Sequence, residues 1–274
     1  MSDAGHDELI LEHYREQAEA HRLEPSSTMA DATTRDLEIR AILACLGYAV
    51  PRVGPEASLL EIGCGNGYLL SLLSERFRSL RLTGADYSPD MVDLAAGRQL
   101  PRCEVRREDV RALSFPSAGF DLLVAERCLI NLLDAADQAQ AISEVCRVLR
   151  PGGFAVLIEA FTDGLANLNK ARVELGLAEN EPPYHNLWFD KVQFLSALGG
   201  KVREVTGEGS SELPPRNFLS SHYFVSRVLY PAVTKREIIY NTEFVKFFQF
   251  LPPHGELSPI QLFFLERLPD DGDM

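Results

Sequence analysis

Three glycines at alternate positions, Gly63, Gly65 and Gly67, follow the apolar run Leu59-Leu60-Glu61-Ile62 and precede Tyr68 to Glu75, whose apolar residues recur at helical spacing. A strand, a glycine turn and a helix in that order let a ligand lie directly against the main chain and against the free amide groups of the helix start. A dinucleotide-binding turn would place its third glycine three residues after the second, where this chain has Tyr68. Acidic residues close or follow several of the later apolar runs. Asp86 ends Arg81 to Asp86, Asp109 follows Cys103 to Arg107, Glu126 follows Phe120 to Ala125, and Glu159 ends Phe154 to Glu159. An ionised carboxylate in such a place accepts charge-assisted hydrogen bonds of about 1.5–3 kcal/mol each.

The elements that must position these groups alternate between strand and helix. Ser88 and Pro89 start a helix after Asp86, and the apolar period of Ala135 to Leu149 is ended by Pro151-Gly152-Gly153. Alternation of this kind requires right-handed crossovers and a parallel sheet covered on both faces, with near-continuous apolar strands. The expectation is therefore a doubly wound α/β fold. Its seven-stranded sheet is mostly parallel, and a ligand sits outside the carboxyl ends of the strands, where Gly63, Asp86, Asp109, Glu126 and Glu159 fall. Lys201 to Glu208 and Ser258 to Leu268 read as the sixth and last strands.

The spacing Glu61-x-Gly63-x-Gly65-x-Gly67 resembles motif I of the class I S-adenosylmethionine-dependent methyltransferases, and the resemblance covers residues 55 to 160. It implies S-adenosyl-L-methionine as methyl donor, S-adenosyl-L-homocysteine as product, and no metal. It also implies that Asp86 receives the ribose hydroxyls and that Asp109 with the amide of Val110 receives the adenine ring. Glu61, Tyr87, Met91 and Glu126 join the glycines as cofactor-binding positions by the same resemblance. In many members an N-terminal helix lies over the donor with an aromatic residue near its methionine portion. Tyr14 fits that role as well as it fits a plain helix–sheet contact.

Two N-terminal helices are expected, around Glu8 to Glu19 and Thr33 to Leu46, with the Ser26-Ser27-Thr28 turn capping the second or touching a polar substrate. The division reads as a helical lid over 1–50, a donor-binding core over 51–208, an inserted cap over 209–257, and the last strand with an acidic tail over 258–274. Two segments depart from the minimal pattern of the family. Residues 160 to 188 end in Pro182-Pro183-Tyr184-His185-Asn186-Leu187-Trp188, a mixture suited to a polar ring. The second holds His222-Tyr223-Phe224, Arg227, Tyr230 and Phe244 to Phe250, too apolar for a disordered linker. It reads as a cap that excludes water, or as the interface of a homodimer.

Methyl transfer is an in-line displacement that needs an acceptor held ~3–3.5 Å away. A hydroxyl acceptor also loses a proton, and a histidine of ordinary pKa near ~6.5 can take it. His185 and His222 are the candidate bases, with Glu159 the third, while His254 in Pro252-Pro253-His254-Gly255 reads as a turn residue. Asn131, Asn186, Trp188 and Tyr223 are the candidate acceptor contacts, although Asn131 could equally cap the next helix.

With 274 residues, 46% of them hydrophobic and 24% charged, the chain can bury one sizeable core. No apolar run approaches the ~18 residues of a membrane span, and no secretory signal pattern opens the chain. Five cysteines without paired spacing fit reduced thiols in the cytoplasm. A net charge of −13 with no basic stripe argues against a nucleic-acid substrate. The expected activity is methyl transfer to a small or medium polar acceptor, in particular a sugar or glycan hydroxyl. The alternatives are a natural-product or amine N-methyltransferase, a non-catalytic donor-binding scaffold, and an NAD-dependent oxidoreductase, which Tyr68 weakens.

Overall fold

A computed structural model describes residues 3–24, 31–205, 213–236 and 241–269. Seven strands, β1 (Ser58–Ile62), β2 (Arg81–Asp86), β3 (Cys103–Arg107), β4 (Phe120–Glu126), β5 (Leu149–Ala160), β6 (Val202–Glu204) and β7 (Ile260–Arg267), form one sheet in the order β3-β2-β1-β4-β5-β7-β6. Strands β1 to β5 run parallel, and β7 runs antiparallel to both β5 and β6. The order reverses between β1 and β4, where a crevice opens at the strands' carboxyl ends. Central β4 is buried from Phe120 to Ala125, which accounts for its unbroken apolar run.

The N-terminal helices are longer than the apolar pattern suggests. They are α1 (Asp3–His21) and α2 (Ala32–Val53), and α2 runs through Gly47 as far as Pro51 and beyond. The expected Ser26–Thr28 turn lies outside the described residues, and the cap of α2 is Asp31, whose Oδ1 accepts the Thr34 N–H at 3.0 Å. Helices α3 (Tyr68–Arg76), α4 (Pro89–Gly97) and α5 (Ala135–Val148) cover the sheet, with Ser88 capping α4 as its sequence predicts.

The first inserted segment folds as α6 (Thr162–Glu174) and a loop that leads to α7 (Lys191–Ala197). Phe161, Phe189, Phe194 and Phe263 hold it to β7, with ring centroids 4.7 to 5.7 Å apart. All four rings are buried, and burial stabilises each by about 1.5–3 kcal/mol. Phe189, which follows Trp188, thus belongs to the core. The second segment contains α8 (Ser220–Tyr223), a π-helical stretch over Phe224–Leu229, α9 (Tyr230–Thr234) and α10 (Glu243–Phe247). Among the described residues no helix is long and apolar enough to cross a membrane.

Candidate functional site

A cavity of about 690 Å³ opens over the carboxyl ends of β1, β2 and β4, within the range of small-molecule sites. The glycine turn forms its floor. Gly63 takes φ 71°, and a Cβ there would lie 2.6 Å from Cys128 Sγ, so only glycine lets the loop after β4 approach the turn. The amides of Gly63 and Cys64 donate to Ala85 O at 2.8 and 3.1 Å, and the Gly65 N–H donates to Asp86 Oδ2 at 2.8 Å. The other Asp86 oxygen accepts the Ser88 N–H at 2.9 Å. Asp86 therefore ties the turn to the end of β2 while lining the cavity, and burial raises its pKa against those bonds.

Glu61, Gly63, Gly65, Asp86, Tyr87, Asp109, Val110 and Glu126, all expected from the sequence, line this cavity together with Tyr14 on α1. Glu61 Oε2 and Glu126 Oε1 are buried with no hydrogen-bond partner. Burial, reinforced by Glu126, pushes the Glu61 carboxyl well above its usual range. Unpartnered buried carboxyl oxygens facing a cavity suit a cationic donor such as an ammonium group. Asp109 is more occupied than its sequence position suggests, because Arg111 holds both its oxygens at 2.7 to 3.0 Å and also grips Asp7 and Asp137 at 2.9 Å. Tyr87 Oη donates to the same Asp7 at 3.1 Å, fastening α1 across this end.

Two expected cofactor contacts do not line the cavity. Met91 is fully buried in α4. Gly67 is the N-cap of α3 at φ 74°, where a Cβ would come within 3.0 Å of Ala95 Cβ, so its role is packing against α4.

The loop after β4 is built by Glu159. Its carboxyl group, fully buried at the end of β5, accepts the N–H groups of Leu129 at 2.9 Å, Cys128 at 3.2 Å and Ile130 at 3.3 Å. It is not part of the cavity lining, so the expectation of a base there is corrected to a strut. Burial outweighs those bonds and raises its pKa to about 8. His222 is also corrected. It is buried behind the wall, with Nε2 3.0 Å from Thr34 Oγ1 and 3.8 Å from Asp31 Oδ2. Burial works against the charge of Asp31, yet His222 and Arg227 hold the carboxyl below its usual range.

His185, Asn186, Trp188, Asn131 and Tyr223 do line the cavity. Asn131 does not cap α5, a position held by Asp134; it accepts from Asn186 Nδ2 at 2.9 Å and donates to Arg127 O at 3.0 Å and Cys128 O at 3.2 Å. The ring of His185 stacks on His13 of α1, centroids 4.1 Å apart at 20°. Burial, then the neighbouring His13, lowers the His185 pKa to about 4, and its Nδ1 is buried without a partner. Trp188 Nε1 is likewise buried and unpartnered.

Several lining residues escaped the sequence reading. Asn66 Nδ2 donates to the carbonyls of Arg22 at 2.8 Å and Glu24 at 3.0 Å, binding the end of α1 to the turn. Arg35 of α2 lies over the Tyr68 ring, and Arg127 faces the far side of the cavity. Only the φ of 49° at Arg127 marks it in the backbone, and no sequence signal does. Among the described residues no group of three or more His, Cys, Asp or Glu could hold a metal ion.

Residues 59–153 match the family model described as a methyltransferase domain. The chain is 35% identical over 104 residues to a demethylmenaquinone methyltransferase of Deinococcus radiodurans, covering 37% of this chain and 42% of that one. It is 33% identical over 135 residues to a phosphatidylethanolamine N-methyltransferase of Cereibacter sphaeroides, covering 47% and 63%. The chain thus spans about half the length of these curated relatives. The fold is that of the N-methyltransferase NodS of Bradyrhizobium japonicum, solved with S-adenosyl-L-homocysteine, at a TM-score of 0.53, 16% identity, and coverage of 93% of this chain and 98% of that one. Residues 59–153, which carry the glycine turn at the end of β1, are thus similar to a methyltransferase domain, and the sheet around them has the class I methyltransferase fold.

Proposed function

We propose that the protein binds S-adenosyl-L-methionine on the glycine turn and transfers its methyl group to a small or medium polar acceptor held under the cap. The observation that carries this reading is the buried pair of unpartnered oxygens, Glu61 Oε2 and Glu126 Oε1, beside Asp86 and the turn. They suit an ammonium group, while the free lone pairs of Asp86 suit the ribose hydroxyls. The donor supplies an electrophilic methyl group on a sulfonium. Arg35, over Tyr68 beside the turn, suits the donor's carboxylate. Tyr87, Asp109 and Val110 form the adenine end, which α1 closes through Asp7.

The chain's remaining work is positioning. Tyr14 stands between the two halves, with Asp86 and Cys128 on one side and Asn131 beside its hydroxyl. For a hydroxyl acceptor, such as that of a sugar or glycan, His185 is the base. Its ring is neutral at neutral pH and its buried Nδ1 lacks a partner. Stacking on His13 fixes the plane of the ring, and Asn131 with Asn186 fixes the loop that carries it. The two curated relatives are named for unlike acceptors, a quinone precursor and a phospholipid, so neither acceptor is carried over.

Calorimetric titration with S-adenosylmethionine, S-adenosylhomocysteine and NAD, repeated with Asp86→Ala, tests this. Binding of the two adenosyl ligands at least tenfold weaker in a folded Asp86→Ala variant is expected, a loss of about 1.4 kcal/mol or more. Binding of NAD alone, or of none of the three, would sink the reading. Nucleotide sugars and glycans are then screened for methylation.

A further inference from the structure

The cavity lining carries both signs of charge. Glu61, Asp86, Asp109 and Glu126 line it together with Arg35 and Arg111, and Arg127, Arg227, Tyr223 and Trp188 line it together with Asp31 and Glu181. Arg227 is engaged by Asp31 at 2.5 Å. Arg127 is not engaged in that way. Among the described residues its guanidinium donates no hydrogen bond to the protein, its Nε is buried without a partner, and its ion-pair contact is Glu38 Oε1 at 3.5 Å.

Glu38 and Glu126 are the acidic neighbours of that charge, and neither accepts a hydrogen bond from it. Glu38 is fully buried on α2, where its carboxyl lies against that of Glu126. Burial and the adjacent Glu126, against the pull of Arg127, push its carboxyl up to about 8, which makes it a weak counter-charge. The backbone of Arg127 adds a second sign, independent of charge. A φ of 49° is costly for a residue that is not glycine, and it is held by the N–H of Arg127 donating to Ile158 O at 2.7 Å and by the turn that Asn131 closes. The fold thus fixes a strained residue so that its cation meets the cavity. Tyr14 and Tyr223 are its neighbours, and burial raises the phenol of Tyr223 to about 12, so it remains a donor. Trp188 adds another buried N–H without an acceptor. A half-buried cation and buried N–H groups that line a cavity without protein acceptors suit oxygen atoms from outside the chain.

We propose that the capped half of the cavity binds an oxyanion of the methyl acceptor, a carboxylate or phosphate group, with Arg127 as its charge partner and the Tyr14 and Tyr223 hydroxyls as neighbouring donors. This rests on the reading of the glycine-turn half as the donor site. The donor's own carboxylate does not need Arg127, because Arg35 serves the glycine-turn side. The acceptor is then an anionic small molecule, and its methylated atom lies between Arg127 and the donor half.

The test uses the full chain saturated with S-adenosylhomocysteine, titrated at constant ionic strength with malonate, inorganic phosphate and neutral malonamide. Thermal shift and calorimetry are the readouts, on wild type, Arg127→Gln and Arg127→Lys. Saturable binding of malonate or phosphate but not malonamide is expected, weakened at least tenfold in Arg127→Gln and partly restored in Arg127→Lys. Affinity for S-adenosylhomocysteine should stay within about twofold in both variants, which also reports that they fold. A response to malonate alone assigns a carboxylate, and a response to phosphate alone assigns a phosphate ester. The proposal is overturned if neither anion binds the saturated protein, if anion binding survives Arg127→Gln, or if Arg127→Gln loses S-adenosylhomocysteine instead. Failure of S-adenosylhomocysteine to bind wild type counts against the donor site itself.

Discussion

Replacing Glu159 separates a strut from a base. In Glu159→Ala three buried N–H groups lose their acceptor, those of Cys128, Leu129 and Ile130. An orphaned buried donor costs about 1–3 kcal/mol. Two of the three bonds are long, 3.2 and 3.3 Å, which places them at the low end, and the 2.9 Å bond to Leu129 counts for more. The sum is about 4 kcal/mol, reduced somewhat because the substitution also removes a carboxyl group that burial pushes up to about 8. A loss of about 3–4 kcal/mol corresponds to about 6–12 °C in melting temperature for a chain near this size. Glu159→Gln keeps an oxygen for Cys128 and Leu129 but sets an amide NH₂ against the Ile130 N–H, for about 1–2 kcal/mol. Calorimetric melting at pH 6.5, with and without S-adenosylhomocysteine, measures both. The variant order Ala below Gln below wild type is expected, with weaker ligand binding in Glu159→Ala because the loop it braces lines the cavity. A Glu159→Gln protein that melts with wild type, binds the ligand normally and has lost all turnover would refute the strut and restore the base.

Melting temperature should fall as pH rises from about 6.5 to 8. Glu38 and Glu159 titrate near 8 in the fold, chiefly through burial, against 4.5 outside it, so stability present at low pH is lost as the buried carboxyls ionise. The slope is at most about 1.4 kcal/mol per pH unit for each group, and Glu38→Gln should flatten it in a pH series of thermal melts. His185 works in the opposite direction. Its pKa is lowered to about 4, so its contribution is lost as pH falls from 6.5 toward 4, which offsets part of the carboxyl trend in that range. Gly67→Ala should destabilise by about 1–3 kcal/mol in denaturant titration, from the left-handed backbone and the contact with Ala95. It should leave affinity for S-adenosylhomocysteine close to wild type, since Gly67 does not line the cavity.

What the sequence made legible was local. An apolar run, a glycine turn and a helical period fix their own geometry within a dozen residues, so the order of β1 to β5 and the placement of Glu61, Asp86 and Glu126 on the cavity follow from them. Glu126 and Glu159 show where that reasoning stops. Both close a buried strand, yet one faces the cavity and the other is turned into the loop that crosses beside it, a contact between residues about 30 apart. The inserted segments are harder still. His185 and His222 sit in similar aromatic surroundings in the sequence, but α2 packs over one of them and not the other. His13 lies on an ordinary polar helix and acquires meaning only when α1 folds against the 182–188 loop. Arg127 was hidden by its neighbour Glu126, and its setting depends on Glu38, a buried glutamate 89 positions earlier.

The attachment of α1 sets a clock for the whole site. Of its described residues only Ala18 is buried, and its fixed points are polar: Asp7 on Arg111 and Tyr87, the His13 stack, and the Asn66 bonds to the residues that follow it. A helix with so little buried apolar surface detaches at a small fraction of the cost of global unfolding, leaving the sheet intact. Molecules beneath it then exchange with solvent as it lifts, the kind of step that limits turnover in many enzymes with a lid. Because the Asp7–Arg111 pair is partly exposed, added salt loosens it, so exchange quickens with ionic strength even where affinity hardly changes.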